Sequence, residues 1–254
     1  MEEGTQGNPY ERSRVLCLPF INSPPSQFHT IVTAIRTTKR KCETFSMETC
    51  FVTFDHPLYI KAQEIISNNP EFKGIMLLGG FHMLMSYMGA IGTIMAGSGL
   101  KELFQSIYAL NTVVKLMSRH AYAREVRCHG LAHCVLAQFI METVSFSDEE
   151  KAVIESMLTS TDKTALLKAD ENEFVKVFTT KFKEAMQKLE RRGPTAKLWV
   201  QYFHITTLIK QFFETERSGN WDFHITTIQQ ILPFCHAAGH FSIPSAPIYI
   251  CRTC

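Results

Sequence analysis

The aspartate in the stretch CFVTFDHPLY, Asp55, is the residue whose position most clearly favours chemistry. It follows a short run of aromatic and branched residues that is typical of a buried strand, and Pro57 is well placed to open a helix. Open α/β sheets usually place ligand-binding or catalytic groups at the carboxyl ends of their strands. An aspartate near a helix start also frequently caps that helix, which is the commoner role. The spacing therefore leaves two roles open for Asp55, a helix cap and a ligand-binding acid.

Two histidine pairs have a spacing that can bind zinc. His129 and His133 lie four residues apart in CHGLAHC, and His236 and His240 are spaced in the same way in CHAAGH. A fixed metal needs further ligands. Structural zinc sites usually contain clustered pairs of cysteines that are two to four residues apart in the sequence. We therefore expect these residues to pack between helices, and we expect no zinc.

A short basic stretch, TTKRKCE at 37–43, contains Lys39, Arg40 and Lys41. Such a cluster is typical of a nuclear address or of a patch that contacts nucleic-acid phosphates. Three adjacent basic residues are also common at solvated helix ends. The stretch is a candidate nucleic-acid-binding site, and the plain solvated helix end stays open beside it.

The elements that position these residues alternate between strand and helix over residues 14–80. The segments RVLCLPFI, CFVTF and GIMLLGG are short and apolar, as interior strands are. Helical spacing of apolar residues runs from Phe28 to about Cys42 and from Pro57 to Ile66. This alternation predicts a partial α/β layer.

Helical spacing continues almost throughout residues 81–241, with breaks that include Gly193-Pro194 and 218–220. The SDEE stretch at 147–150 predicts a capping box. The fold class is therefore α/β plus α, a small N-terminal α/β segment followed by a large all-helical region. Residues 1–13 are polar and predict a disordered leader without the features of a signal peptide.

The overall composition is typical of an intracellular protein. The eight cysteines have no regular spacing, as is typical of reduced thiols in an intracellular protein. The net charge of +2 gives no overall field that would attract nucleic acid, membrane surface or acidic ligands. A local basic patch remains compatible with this balance.

The segment Gly74–Leu100 raises the question of a membrane span, because its 27 residues contain no Asp, Glu, Lys or Arg. A spanning helix needs roughly 20 such residues. Seven glycines, the Gly79-Gly80 pair among them, and His82 argue against a span. We favour a buried strand, a tight turn and a buried helix, with membrane association through residues 74–100 as the alternative.

Several longer stretches resemble one family. They are CFVTFDHPLYIKAQEI, LLGGFHMLMSYMGAIGTIMAGSGL, HAYAREVRCH, LWVQYFHITTLIKQFFETERSGNWDFHI and PFCHAAGH. Over about residues 14–241 the chain resembles a family of transposable-element-derived proteins scattered through animal genomes. A more distant similarity links this family to transposases with a ribonuclease-H-like fold and a helical insertion.

The resemblance implies phosphoryl transfer on DNA, with Asp55 and His82 in the order of the transposase motifs and Asp55 as a ligand of Mg²⁺. Strand-end carboxylates in such sites hold Mg²⁺ ions that activate the attacking oxygen and stabilise the leaving one. About three acids are needed, and no acid before Asp55 ends a core strand. The last acid is expected on a helix beyond the insertion, after this chain has stopped. We therefore expect no complete active site, and no strand cleavage by this chain.

The last residues, 242–254, differ from the rest. SIPSAPIYICRTC resembles neither the family nor a helix. In a shifted reading frame, in which each codon begins at the third base of the present codon, the same nucleotides can encode a different peptide. This peptide contains Lys-Ser-Ala-His-Leu-Tyr-Leu-Gln-Asp-Met, is helical in character and resembles the family's continuation. We expect a frame-shifted tail of an originally longer, now truncated protein, which the nucleotide sequence tests.

Two classes of function stay open on the sequence. The first is a transposase-like protein that binds DNA or a full-length relative, located inside the cell and in the nucleus. The second is a non-enzymatic helical interaction module whose exposed apolar surface drives self-association. DNA affinity that falls steeply with salt is expected only of the first class.

Overall fold

The structure, a computed structural model, describes residues 15–69, 72, 74–117, 122–159 and 173–239. The predicted leader, 1–13, and the predicted frame-shifted tail, 242–254, lie outside these residues. The helices are α1 Phe28–Thr44, α2 His56–Asn68, α3 Gly80–Ile94, α4 Leu100–Gln105, α5 Leu110–Met117, α6 Tyr122–Glu142, α7 Asp148–Thr159, α8 Glu173–Glu190, α9 Pro194–Ser218 and α10 Trp221–Ala237, and the strands are β1 Cys50–Phe54 and β2 Gly74–Leu78.

The two strands form a parallel sheet in which Cys50 pairs with Gly74 and Phe54 with Leu78. Helices α1 and α2 pack on one face of this sheet, where Met76 is buried. The opposite face carries Phe51, which is more than half exposed. The predicted α/β segment is thus confirmed as a small two-stranded parallel sheet within a mostly helical chain.

The strand predicted over 14–21 is wrong for its described part. Residues 15–22 form no strand, and Val15 and Phe20 are almost fully exposed. Pro19 lies inside the apolar run, and proline has no N–H to donate to a neighbouring strand. The segment instead lies against α1 and the end of β1, where Leu18 and Ile21 line a hollow.

The uncharged segment Gly74–Leu100 forms β2, a turn, α3 and a second turn. Gly97 and Gly99 in the second turn have positive φ angles of 73° and 94°, which glycine adopts without strain. None of the described helices combines the length and the apolar character needed to cross a membrane. The predicted buried strand, turn and helix are confirmed.

Helix α9 is the centre of the helical region and packs against α3, α6, α8 and α10. Its buried backbone is tied to α3, because the Tyr87 hydroxyl donates to the Ile205 carbonyl at 3.0 Å. The helix ends at Gly219, whose left-handed conformation with φ 66° stops the chain before Asn220 caps α10. The predicted breaks at Gly193-Pro194 and 218–220 are confirmed.

The predicted capping box at the start of α7 is also confirmed. The Ser147 N–H donates to Glu150 Oε2 at 2.7 Å, and the Glu150 N–H donates to Ser147 Oγ at 3.2 Å. Lys181 of α8 binds both oxygens of the same carboxylate at 2.7 Å. The box therefore starts α7 and also connects it to α8.

Candidate functional site at the carboxyl end of the sheet

Asp55 lies directly after β1, at the edge where both parallel strands end. Its backbone is extended, and its Oδ1 accepts a hydrogen bond of 3.1 Å from the Leu58 N–H. Pro57 occupies the first turn of α2. The capping role is confirmed together with the strand-end position, and the cap uses one oxygen of the carboxylate.

The turn after β2 lies beside Asp55. The Gly79 N–H donates to the Phe54 carbonyl at 2.8 Å, so the end of β2 is held against the residue that precedes Asp55. A Cβ on Gly79 would lie 3.2 Å from that carbonyl oxygen, which is closer than ordinary packing allows. Glycine at this position lets the two strand ends approach.

Helix α9 brings a second acid to the same turn. A Cβ on Gly80 would lie 2.9 Å from Glu216 Oε1 and 3.1 Å from Phe212 Cζ. The Glu216 side chain is 47% exposed. A glutamate near the end of the long α9 therefore contacts the turn that follows β2, on the edge of the sheet that carries Asp55.

Sequence reasoning missed Glu216, because it expected the last acid beyond the end of this chain. The Gly79-Gly80 pair was the available signal, since paired glycines often mark a close approach of another group to the backbone. That signal does not identify the group. Only the packing of α9 against α3 shows that the group is Glu216.

Polar and aromatic groups surround Glu216. His224 Nε2 lies 3.6 Å from Glu216 Oε1, and His224 Nδ1 is hydrogen-bonded to Thr215 Oγ1 at 3.0 Å. Burial lowers the pKa of His224 more than the Glu216 carboxylate raises it. Burial and the Glu216 charge both raise the pKa of Tyr122. Near neutral pH, Glu216 therefore faces a neutral imidazole and a neutral phenol.

His82 lies in the first turn of α3, on the same edge of the sheet as Asp55. Its ring is exposed and meets the edge of the Phe81 ring at 5.3 Å. Between the described side chains of Asp55 and His82 there is no hydrogen bond or ion pair. The structure brings the two residues to one edge without joining their side chains.

The basic residues Lys39, Arg40 and Lys41 lie near the end of α1, and that end adjoins the start of β1. Asp55 is at the other end of this five-residue strand. At about 3.3 Å per residue, the Cα atoms at the two ends of this strand lie roughly 13 Å apart. The basic residues therefore belong to the helix that adjoins one end of β1, and Asp55 follows the other end.

The histidines of CHGLAHC are buried between α6 and α9. His129 Nδ1 is hydrogen-bonded to the Tyr202 hydroxyl at 2.8 Å, and His133 Nε2 to Thr207 Oγ1 at 3.0 Å. Burial lowers the pKa of each histidine to about 4. The prediction that His129 and His133 pack between helices is confirmed, while His240 of the second pair lies outside the described residues.

Within the part of the chain that the structure describes, no three His, Cys, Asp or Glu side chains converge as ligands for a metal ion. Asp55 and Glu216 are two carboxylates around one turn. Mg²⁺ in proteins is often held by one or two carboxylates together with water and substrate phosphates. Two carboxylates at one edge of a sheet are ligands of the type that such a partly hydrated ion takes.

Comparison with known proteins gives a family but no activity. A family model described as "Domain of unknown function (DUF8702)" matches residues 1–252. No curated protein and no solved structure matches the chain. The chain belongs to the DUF8702 family.

Proposed function

We propose that this DUF8702 protein is a transposase-like DNA-binding protein with a reduced phosphoryl-transfer site at the carboxyl end of its sheet. The observation that carries the proposal is the contact of Glu216 with the Gly79-Gly80 turn, beside the strand-end Asp55. Two acids that are far apart in sequence lie near the edge where α/β sheets usually bind their ligands. The resemblance of the sequence motifs to transposases with a ribonuclease-H-like fold implies DNA as the substrate class.

In this proposal Asp55 and Glu216 hold one Mg²⁺ against a DNA phosphate. When bound, the ion neutralises phosphate charge and polarises a phosphoryl oxygen. Cleavage by two metal ions needs a further carboxylate, so we expect binding of DNA without strand cleavage. His82, in the first turn of α3 at the same edge of the sheet, contacts the same phosphate in this proposal.

The basic residues of α1 contact the DNA backbone at a second point. Lys39, Arg40 and Lys41 lie near the end of α1, which adjoins the start of β1, and Asp55 lies after the other end of this strand, so the two points would contact different phosphates. Phosphate contacts of this kind set the position of a protein on DNA without reading the sequence. The same residues suit a nuclear address, and we propose a nuclear location.

The test measures affinity for a DNA duplex by fluorescence anisotropy, with and without Mg²⁺, over a series of salt concentrations. We expect affinity that falls steeply with salt and rises when Mg²⁺ is added. Glu216→Gln should remove the increase caused by Mg²⁺ and keep the salt dependence. Glu214→Gln is the matched control, because Glu214 is exposed on the same helix and should leave both properties unchanged.

Two outcomes contradict the proposal. One is DNA affinity that is absent or independent of salt. The other is an equal loss of the Mg²⁺ effect in Glu214→Gln and Glu216→Gln, which would show that general surface charge is responsible and not the turn.

A second candidate function is self-association through the helical region. Helix α6 exposes Leu131, Val135 and Phe139 at intervals of four residues. With Leu103 and Ile107 they line an apolar cavity of about 350 Å³. Exposed apolar surfaces of this kind often mark protein interfaces.

Sedimentation velocity over a range of protein concentrations tests this candidate. Phe139→Ser should shift the protein towards the monomer, and Val177→Ser on α8, also an exposed apolar residue, is the control. A concentration-independent monomer in the unsubstituted protein would exclude self-association and leave DNA binding as the proposed function.

A further inference from the structure

The turn between α1 and β1 brings two cysteines together. Cys42 lies in the last turn of α1, and Cys50 is the first residue of β1. The chain reverses between them, with the Met47 N–H donating to the Cys42 carbonyl at 2.9 Å and Ser46 in a left-handed conformation with φ 56°. The two thiols lie within hydrogen-bonding reach of each other.

We propose that Cys42 and Cys50 are a redox modification site, at which a small disulfide such as oxidised glutathione converts the two thiols reversibly into one disulfide. The contact between the thiols places the two sulfur atoms near each other, which is the first requirement for a disulfide. The site lies at the opposite end of β1 from Asp55, and the proposal does not rest on the proposed function.

The two thiols differ in accessibility, and this sets the order of the steps. Cys42 is partly exposed, whereas Cys50 is 4% exposed. Burial, and then the contact with Cys42, raises the pKa of Cys50 to about 11. Because the thiolate is the nucleophile and needs access, Cys42 reacts first and Cys50 second.

The exchange is balanced in atoms and electrons. The Cys42 thiolate attacks one sulfur of oxidised glutathione, the glutathione S–S bond breaks, and one glutathione thiolate leaves. Cys50 releases its proton to solvent and attacks the Cys42 sulfur of the mixed disulfide, which expels the second glutathione thiolate. Two protein thiols and one oxidised glutathione become one protein disulfide and two reduced glutathiones.

The bridge ties the end of α1 to the start of β1, beside the basic cluster Lys39, Arg40 and Lys41. A covalent link between these positions restricts the unfolded chain and stabilises the folded one. We therefore expect the oxidised protein to unfold at a Tm a few degrees above that of the reduced protein. A reversible bond of this kind is compatible with thiols that are reduced inside the cell.

The experiment uses the full chain, reduced, freed of reductant and incubated with oxidised glutathione. Free thiols are then alkylated and the protein is digested with trypsin without reduction. Residues 42–61 form one tryptic peptide that contains Cys42 and Cys50 and no other cysteine. We expect this peptide to be two hydrogens lighter than its reduced form, without glutathione or an alkyl group, and to return to the reduced mass after dithiothreitol.

Two single substitutions separate the steps. Cys50→Ser should keep glutathione on Cys42, because no second thiol expels it, and Cys42→Ser should leave Cys50 unmodified in the folded protein. Neither variant should gain the rise in Tm. Exposed Cys134 is the internal standard, and it should carry glutathione in the unsubstituted protein and in both variants.

A peptide 42–61 that carries glutathione on Cys42 beside an alkylated Cys50 would overturn the proposal. So would a Cys42→Ser variant in which Cys50 reacts as readily as Cys134. Circular dichroism before oxidation shows that each variant is folded.

Discussion

Polar residues at the edge of the sheet are accessible to solvent, whereas polar residues in the helical core are buried and hydrogen-bonded to other residues. Around the Gly79-Gly80 turn, Asp55 and Glu216 are partly exposed, and Glu216 remains open to a ligand from solvent. Between α6 and α9, His129 is buried and hydrogen-bonded to Tyr202 inside the protein. We therefore expect ligands to bind at the sheet edge. We expect the polar residues of the core to affect the stability of the protein and the dependence of that stability on pH.

The largest expected effect is acid destabilisation through the helical core. The pKa of His129 falls from 6.5 in the unfolded chain to about 4 in the folded protein. Between these values the unfolded state binds more protons, so the free energy of unfolding decreases as pH falls from 6.5 to 4. His129 alone accounts for about 3 kcal/mol by pH 4, and His133 adds an effect of the same sign.

Urea unfolding at a series of pH values measures this effect. His129→Gln, which keeps a polar side chain towards Tyr202, should reduce the pH dependence between 6.5 and 4 and leave the part that is due to His133. His29→Gln is the control, because His29 is exposed and should leave the curve as it is. A free energy of unfolding that stays constant over this range would show that burial does not lower the pKa of the core histidines.

An intermediate effect is expected when the partner of His129 loses its hydroxyl. Tyr202→Phe keeps the ring that packs in the core and leaves the buried His129 Nδ1 without its hydrogen bond of 2.8 Å. A buried polar atom left unsatisfied costs about 1 to 3 kcal/mol. Urea unfolding at pH 7 checks this, with Tyr108→Phe as the comparison, because the Tyr108 hydroxyl is hydrogen-bonded to the weakly polar Cys128 thiol and not to an imidazole. If both variants lose the same small amount of unfolding free energy, the hydrogen bond between Tyr202 and His129 does not stabilise the core as we expect.

The smallest effects on stability are expected at the sheet edge, where they separate the two roles of Asp55. Asp55→Ala removes the bond to the Leu58 N–H and should cost about 1 kcal/mol, as a lost helix cap does. Asp55→Asn keeps a good capping residue and should be nearly neutral in stability, while it removes the charge that would hold Mg²⁺.

Thermal unfolding and the Mg²⁺ dependence of DNA affinity are measured on both variants. If Asp55→Asn retains the full Mg²⁺ effect, Asp55 acts as a cap and not as a ligand. That result would leave Glu216 without its partner acid and would count against the proposed site.

The local features were largely predictable. The apolar run before Asp55, the proline after it and the Ser147 and Glu150 pair act through neighbours within a few residues, and the structure confirms each of them. The predicted strand at 14–21 failed for the opposite reason. An apolar run becomes a strand only beside another strand that accepts its hydrogen bonds, and Pro19 weakens that pairing.

The candidate site was only half predictable. Asp55 was found from its position at the end of a strand, whereas Glu216 was missed, because nothing near it in sequence indicates a turn that lies far earlier in the chain. The same holds for Tyr202 and His129, which meet across two helices.

The sequence by itself determined where β1 ends, that Asp55 caps the helix after it, and that most of the described chain after Gly80 is helical. These features depend on hydrogen bonds and on the spacing of apolar residues over one or two turns. Tertiary structure alone decided that Glu216 lies on the glycine turn and that His129 is buried with a partner. Both depend on the packing of α9 against α3 and α6, which joins residues that have no local interaction to mark them.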